Sequence, residues 1–196
     1  MTRARVLADF VGGTSTISGT PTFTGTVTGI GDGAGSIIQV QQTQLTTDST
    51  LSLSAATDTV VTGFTVNITP TSTSSIIKCE AMWMGEFGDD DPNSYNHMFF
   101  FYRDTTKLGY TGTAGSRNYG VAPATRTYFA EDQNSTPETA YLSFFDSPST
   151  TSQITYKLGI NAELADTLYI NRTLNASDSY AQERGTSFIS VTEIAG

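Results

Sequence analysis

The sequence predicts an all-β fold: an antiparallel, jelly-roll-like β-sandwich carrying an extended N-terminal arm. Three observations predict it. Thr, Ser and Gly are abundant, with 11 Phe and 9 Tyr but only 15% charged residues, a mixture that suits strands and turns better than helices. Short segments of period-two alternation recur between Gly, Asn, Asp, Ser and Pro turns. No stretch of ten or more residues carries a helical apolar period, and "RARVLADF" makes two turns at most.

The arm comes first, as residues 1–35. From Gly13 the chain reads "GTSTISGTPTFTGTVTG", an imperfect six-residue repeat with Thr or Ser at the even positions from Thr14 to Thr28. Ile17, Pro21, Phe23 and Val27 fall on the odd face, so the segment predicts extended chain with one drier side. A lone strand of this kind needs backbone partners and apolar cover. It therefore pairs with copies of itself or lies along another protein; a flexible Gly/Thr linker is the plainer alternative.

"TGIGDGAGSIIQV" then sets Gly29, Gly31, Gly33 and Gly35 at every second position. A dinucleotide loop needs its third glycine at position six, where Ala34 or Ser36 stands, and a helix behind it. A strand follows instead, so the comb predicts a hinge between arm and sandwich.

The sandwich is expected over residues 36–196. Its predicted strands are 37–45, 60–69, 75–84, 97–103, 139–146, 152–160, 167–172 and 186–194. In "ITYKLGI", Ile154, Tyr156, Leu158 and Ile160 share a face; in "SIIKCEAMW", Ile77, Cys79, Ala81 and Trp83 do. Many short strands at this spacing point to a sandwich or jelly roll.

Charge divides the chain at the same place. Arg3 and Arg5 balance Asp9 and Asp32, so the whole net charge of −9 lies beyond residue 35. That charge argues against nucleic acid or an anionic membrane as partner. The densest apolar run, "MFFFY", is far short of the ~20 residues of a spanning helix, and "MTRARVLADF" has no apolar signal region. With Cys79 as the only cysteine, no intrachain disulfide forms. These features lead to the expectation of synthesis in a reducing cytoplasm and no membrane insertion.

Catalytic and metal chemistry find little support. His97 is the only histidine, which restricts a catalytic triad to that residue and removes His-rich metal sites; a surface role is expected for it. Ser75 and Lys78 have Ser-x-x-Lys spacing but lack the companion motifs. Read as a calcium loop, Asp89, Asp91 and Asn93 take positions 1, 3 and 5, but Ser94 and Phe100 stand where Gly and Glu belong. Only a looser, weak calcium site stays open there. Glu80, Glu86, Asp146 and Glu163 form no glycosidase motif, and Asp146 in "FFDSP" is expected to cap the turn at Pro148. Four Asn-x-Ser/Thr sequons begin at Asn67, Asn134, Asn171 and Asn175, as an Asn/Ser/Thr-rich chain gives by accident. No catalytic residue, cofactor or metal ligand is assigned.

The segments "FFDSPSTTSQITYKLGI" (144–160), "LYINRT" (168–173) and "ERGTSFISVTEI" (183–194) resemble the trimeric β-sandwich domain of fibre and decoration proteins of tailed bacteriophages. "GSIIQV" (35–40), "ITPTSTSSII" (68–77) and "GYTGTAGSR" (109–117) fit the same family in the same order, and "RARVLADFVGG" (3–13) is similar to its short N-terminal attachment segment. The resemblance covers residues 35–196 nearly end to end. It implies a homotrimer, attachment to the virion through the N-terminus, and an exposed distal sandwich. It brings no catalytic residues.

The function so implied is that of a non-enzymatic structural virion protein. The favoured form is a homotrimeric capsid decoration, or cement, protein on the outer capsid surface, bound to the major capsid protein and aiding host adhesion. A short tail fibre or receptor-binding tip held by tail proteins is the alternative, and a carbohydrate-binding module stands behind both. Decoration is favoured because only about thirty residues of arm precede the sandwich, with no shaft. Candidate virion-attachment residues are Arg3, Arg5, Val6, Leu7, Phe10, Ile17 and Phe23: arginine forks pair with carboxylates, and the apolar side chains bury area on docking. The chain departs from the family pattern at residues 85–97, "GEFGDDDPNSYNH", read as an elaborated exposed loop. Asp89, Asp90, Asp91, Asn93 and Tyr95 are its candidate host contacts, with a host surface glycan as the implied partner. The apolar side of the arm and the aromatic run "MFFFYR" are expected to need cover from other copies.

Overall fold

The computed structural model describes residues 33–88, 96–124 and 135–196, and these residues contain strands and turns but no helix. The strands are β1 (Ile37–Leu45), β2 (Ser49–Leu53), β3 (Thr59–Ile68), β4 (Ile76–Phe87), β5 (His97–Arg103), β6 (Thr106–Leu108), β7 (Glu138–Asp146), β8 (Ile154–Ala162), β9 (Asp166–Ile170) and β10 (Ser187–Ile194). Eight of them match the segments expected from alternation; β2 and β6 do not appear among those.

Two antiparallel sheets form. In the first, β4 is flanked on one edge by β7. Its other edge pairs with β10 along Ile76–Met82 and then with β9 along Gly85–Phe87. Outside these lie β1 on β10 and β2 on β9. β1 with β2, and β10 with β9, are therefore two ribbons, each interrupted once. The second sheet runs β3-β8-β5-β6. Counted as ribbons, each sheet has four, and the chain crosses between sheets at every connection except the β5–β6 hairpin. That is the strand order of a jelly roll, two Greek keys wrapped into a sandwich.

Asn171 makes both interruptions possible. It sits at φ +60°, a left-handed conformation that Asn tolerates better than most residues. Its Nδ2 donates to the carbonyls of Leu45 and Thr47, both at 2.9 Å, and its Oδ1 accepts from Ser187 Oγ at 2.6 Å. One buried amide thus ties the break after β1 to the break between β9 and β10.

The inner faces supply the core. Ile77, Cys79, Ala81 and Trp83 of β4 are fully buried, as are Tyr156, Leu158 and Ile160 of β8, with Ile154 at 2% exposure. Trp83 lies against Phe87 and Phe99, with ring centroids 5.0 and 5.5 Å apart, and its Nε1 donates to the Tyr169 carbonyl at 3.0 Å. Desolvation, aided by the nearby Asp146, pushes the Cys79 thiol far above its ordinary range, so it serves as core volume rather than as a nucleophile.

Several expectations are corrected. Phe99, Phe100 and Phe101 are all fully buried within the single chain, so the aromatic run needs no second copy to cover it. Phe100 points to the outer face of the second sheet, where it packs over Gly159 and under the Lys107 ammonium, 4.0 Å from the ring centroid. The loop expected from residue 85 starts later, because β4 stays paired with β9 through Phe87, and Gly85 is a strand residue. His97 is no surface residue: it is buried at the start of β5, stacked on Phe87 at 3.8 Å with its Nε2 3.1 Å from Asp166 Oδ2. Asp146 does not cap the following turn. It accepts from Arg103 Nη1 at 2.9 and 3.1 Å and from Tyr156 Oη at 2.7 Å, because both donors reach it across the sandwich.

Gly35 takes φ +87° two residues before β1, so the described end of the glycine comb turns into a strand and meets no helix. Gly29 and Gly31 lie outside the described residues.

Candidate functional site

The pairings give the sandwich two unlike ends. At one end the chain enters through Gly33–Ser36 and β10 finishes, with Gly35 N–H donating to the Ala195 carbonyl at 2.7 Å. Connections 69–75, 104–105 and 147–153 share this end. The opposite end gathers connections 54–58 and 163–165 and the described parts of the connections that follow β4 and β6.

At that opposite end, against the outer face of the second sheet, lies an open cavity of about 840 Å³. Its walls come from every connection there: Asp58 before β3, Asn96 and His97 at the start of β5, Ser116 to Tyr119, and Asn161 and Glu163 at the end of β8. Backbone pairing fixes the fourth wall. Where β6 stops at Leu108, the returning chain takes its place beside β5, with Phe99 N–H donating to the Ala122 carbonyl at 2.9 Å and Val121 N–H to the Phe99 carbonyl at 2.8 Å. Asn118 is thereby carried over the sheet, where its Nδ2 donates to the carbonyls of Asn96 at 3.1 Å and Asn161 at 3.0 Å.

The polar side chains are held by one another. Asp58 Oδ1 accepts from Lys107 Nζ at 2.9 Å and Asn161 Nδ2 at 2.7 Å. Asn96 Nδ2 donates to Glu163 Oε2. Lys107 is also sandwiched between rings, its ammonium 4.2 Å from the Tyr119 centroid as well as above Phe100. Two carboxylates, Asp58 and Glu163, meet two cations, Lys107 and Arg117, so these four formal charges balance. Tyr119 keeps 41% of its surface exposed.

A second surface stands out on the first sheet. Its outer face carries Tyr141, Met82 and Phe188 side by side in one row across β7, β4 and β10. A second row runs Phe145, Lys78, Thr192 and Val40. Tyr141 and Phe145 are 58% and 59% exposed. Between the rows, Glu80 bonds Lys78 Nζ at 2.8 Å and accepts from Tyr141 Oη. Burial pushes the Glu80 carboxyl upward, but these two hydrogen bonds prevail and hold it below its ordinary value.

None of the candidate attachment or host-contact residues is seen on either surface, although His97 and Glu163 line the cavity and Lys78 and Glu80 lie on the first sheet. Arg3, Arg5, Val6, Leu7, Phe10, Ile17 and Phe23 lie outside the described residues, as do Asp89, Asp90, Asp91, Asn93 and Tyr95. The neighbours of that acidic run, Asn96 and His97, line the cavity. Of the four acidic residues weighed for glycosidase chemistry, Glu163 alone reaches it. Ser75 donates to Glu193 at 2.6 Å while Lys78 points outward to Glu80, so their spacing carries no chemistry. Asn171 and its sequon are buried. Asp58, Asn118 and Asn161 went unnoticed because outward-facing polar residues of strands and loops carry no sequence signature until the fold brings them together.

No protein-family model matches the chain, and no curated protein matches it in sequence.

Proposed function

We propose that the chain is a homotrimeric surface protein of a tailed-phage virion, serving as a capsid decoration protein that displays its sandwich outward. The observation that carries this reading is the two-ended architecture. The chain enters the sandwich at one end through Gly33–Ser36, and the longest connection, between β6 and β7, starts and finishes at the other, where the cavity lies. A subunit anchored through its arm presents that second end to solvent. The row of Tyr141, Met82 and Phe188 supports self-association, since solvated aromatic and methionine side chains on a sheet face favour burial against another copy. The non-enzymatic role belongs to the same proposal.

A short tail fibre or receptor-binding tip is the second reading, and the cavity favours it: a polar recess at the exposed end is of use to a protein that meets a host surface. Copy number separates the two. Purified particles are resolved by quantitative gel or mass spectrometry, and the chain is counted against the major capsid protein; light scattering gives the mass of the isolated protein. A decoration protein is present at a sizeable fraction of the capsid copy number, and its solution mass is three times the 20.9 kDa chain. A few copies per particle select the fibre reading. Absence from particles, or a monomer at micromolar concentration, overturns the proposal.

A further inference from the structure

We infer that the cavity at the end of the second sheet is a binding site for a neutral saccharide. Four observations carry this. Its volume, about 840 Å³, is that of a recess for a small molecule or a short oligosaccharide. Its polar lining includes the amides of Asn118 and Asn161, which donate to and accept from hydroxyls, and the carboxylates of Asp58 and Glu163, which accept from them, beside Lys107 and Arg117. These groups are set in place before any ligand arrives: Asn118 bridges two carbonyls, and Asp58 holds Asn161 and Lys107 at 2.7 and 2.9 Å. Preorganisation of this kind lowers the ordering cost of binding. Finally, Tyr119 offers a half-open ring, steadied by the ammonium of Lys107 at 4.2 Å, against which the C–H face of a sugar packs.

The charge pattern selects among saccharides. Lys107 is already taken by Asp58, and within the described residues both contacts of that carboxylate fall on Oδ1. Arg117, whose Nη1 donates to the Ala114 carbonyl at 3.3 Å, is the other cation of the lining, and with Asp58 and Glu163 opposite the two cations the recess has no surplus positive charge to draw an acidic sugar. A phosphate, with more charge to neutralise, is disfavoured by the same balance. Hydroxyls and acetamido groups suit the lining.

The inference draws its biological purpose from the proposed virion role but does not need it for the chemistry. Its test uses isolated full-length protein, whereas the virion role is tested on particles, so either one fails without the other.

The protein is screened against immobilised neutral saccharides (maltotriose, chitotriose, lactose, rhamnose) and acidic ones (sialyllactose, trigalacturonate), and responders are titrated calorimetrically. At least one neutral member binds with a Kd of about 1 mM or tighter. Asn161→Ala and Tyr119→Ala each weaken it about tenfold or more, whereas Glu80→Gln on the other sheet leaves it unchanged. Tyr119 is half-exposed, so its variant decides the matter even if Asn161→Ala fails to fold. No neutral binder, binding confined to the acidic members, or binding undiminished in Tyr119→Ala overturns the inference.

Discussion

Glu193 is a carboxylate buried at the arm end of the sandwich, with no cation paired to it among the described residues. Its Oε1 accepts from Thr71 N–H at 2.7 Å, Thr71 Oγ1 at 2.7 Å and Ser75 Oγ at 2.6 Å; its Oε2 accepts from Gln39 Nε2 at 2.6 Å. Burial alone raises a carboxyl pKa, but donors from Ser75, Gln39 and Thr71 outweigh it and bring this one from 4.5 down to about 2. A depression of that size corresponds to about 3 kcal/mol of stability. The folded value lies below the unfolded one, so the contribution is complete above the unfolded pKa and drains away as pH falls from about 4.5 toward 2.

Glu193→Gln removes the charge and keeps the shape. If the new amide oxygen serves Thr71 and Ser75, its nitrogen faces the Gln39 nitrogen, donor against donor. Flipping the Gln39 amide relieves that clash but gives up its bond to the Thr69 carbonyl at 2.8 Å. Denaturant melts at fixed protein concentration are expected to show the variant about 3 kcal/mol less stable at pH 7, or a Tm lower by about 6–12 °C. By pH 3 the gap narrows, because the wild type is losing a carboxylate that the variant never had. An equal gap at pH 3 and pH 7 refutes the charged-acceptor reasoning, and no gap at pH 7 refutes the network itself.

Three other outcomes follow from the same geometry. Asn171→Ala strips the bridge between the two broken ribbons and leaves a left-handed alanine, costing about 2–4 kcal/mol in equilibrium melts; a loss under 0.5 kcal/mol contradicts the bridging role. Gly159→Ala drives a methyl into the Phe100 ring and costs about 1–3 kcal/mol, and pairing it with Phe100→Leu recovers part of the loss, as a double-mutant cycle would reveal. Under the proposed virion role, deleting residues 1–32 keeps the Gly35 bond to Ala195 and leaves the sandwich folded, but abolishes co-sedimentation with particles lacking the native copy; equal sedimentation of both forms would move the attachment surface onto the sandwich.

Fold class was legible because burial imposes period two directly on the residues: the buried set Ile77, Cys79, Ala81 and Trp83 is written as alternation in "SIIKCEAMW". The strands that escaped notice are those in which alternation decides nothing. β2, "STLSL", has apolar Leu51 and Leu53 at the right spacing but sits in a Ser/Thr background, and β6 is three residues long. The placement of His97 was misread because sequence shows its polar neighbours along the chain, whereas its real surroundings, Phe87 and Asp166, arrive from other strands. Asp146 was misread for the same reason: Pro148 is near in sequence, but Arg103 and Tyr156 are near in space. Of the cavity, only the neighbourhood of the acidic run was foreshadowed, since Asp58, Asn118 and Asn161 are separated by tens of residues.

Topology accounts for where such a site arises. Eight ribbons crossing a sandwich return the chain to the end at which it began, so Gly33 and Gly196 share one end and fixing the arm fixes which loops face away. Connections at the arm end are short: seven residues at 69–75, two at 104–105 and seven at 147–153. Those at the far end have five residues at 54–58, nine at 88–96, twenty-nine at 109–137 and three at 163–165, while the sixteen of 171–186 leave the sheet at the break between β9 and β10. Closing a longer loop costs little, roughly 0.6 kcal/mol per doubling of length, so stability alone does not keep insertions out of either end. An arm seated on a neighbour would do so, because bulky loops beside it would strike the surface it grips. Under the proposed anchoring through residues 1–35, the one long connection, between β6 and β7, belongs to the end that faces away, where the amides and carboxylates that line the cavity accumulate without disturbing the core beneath them.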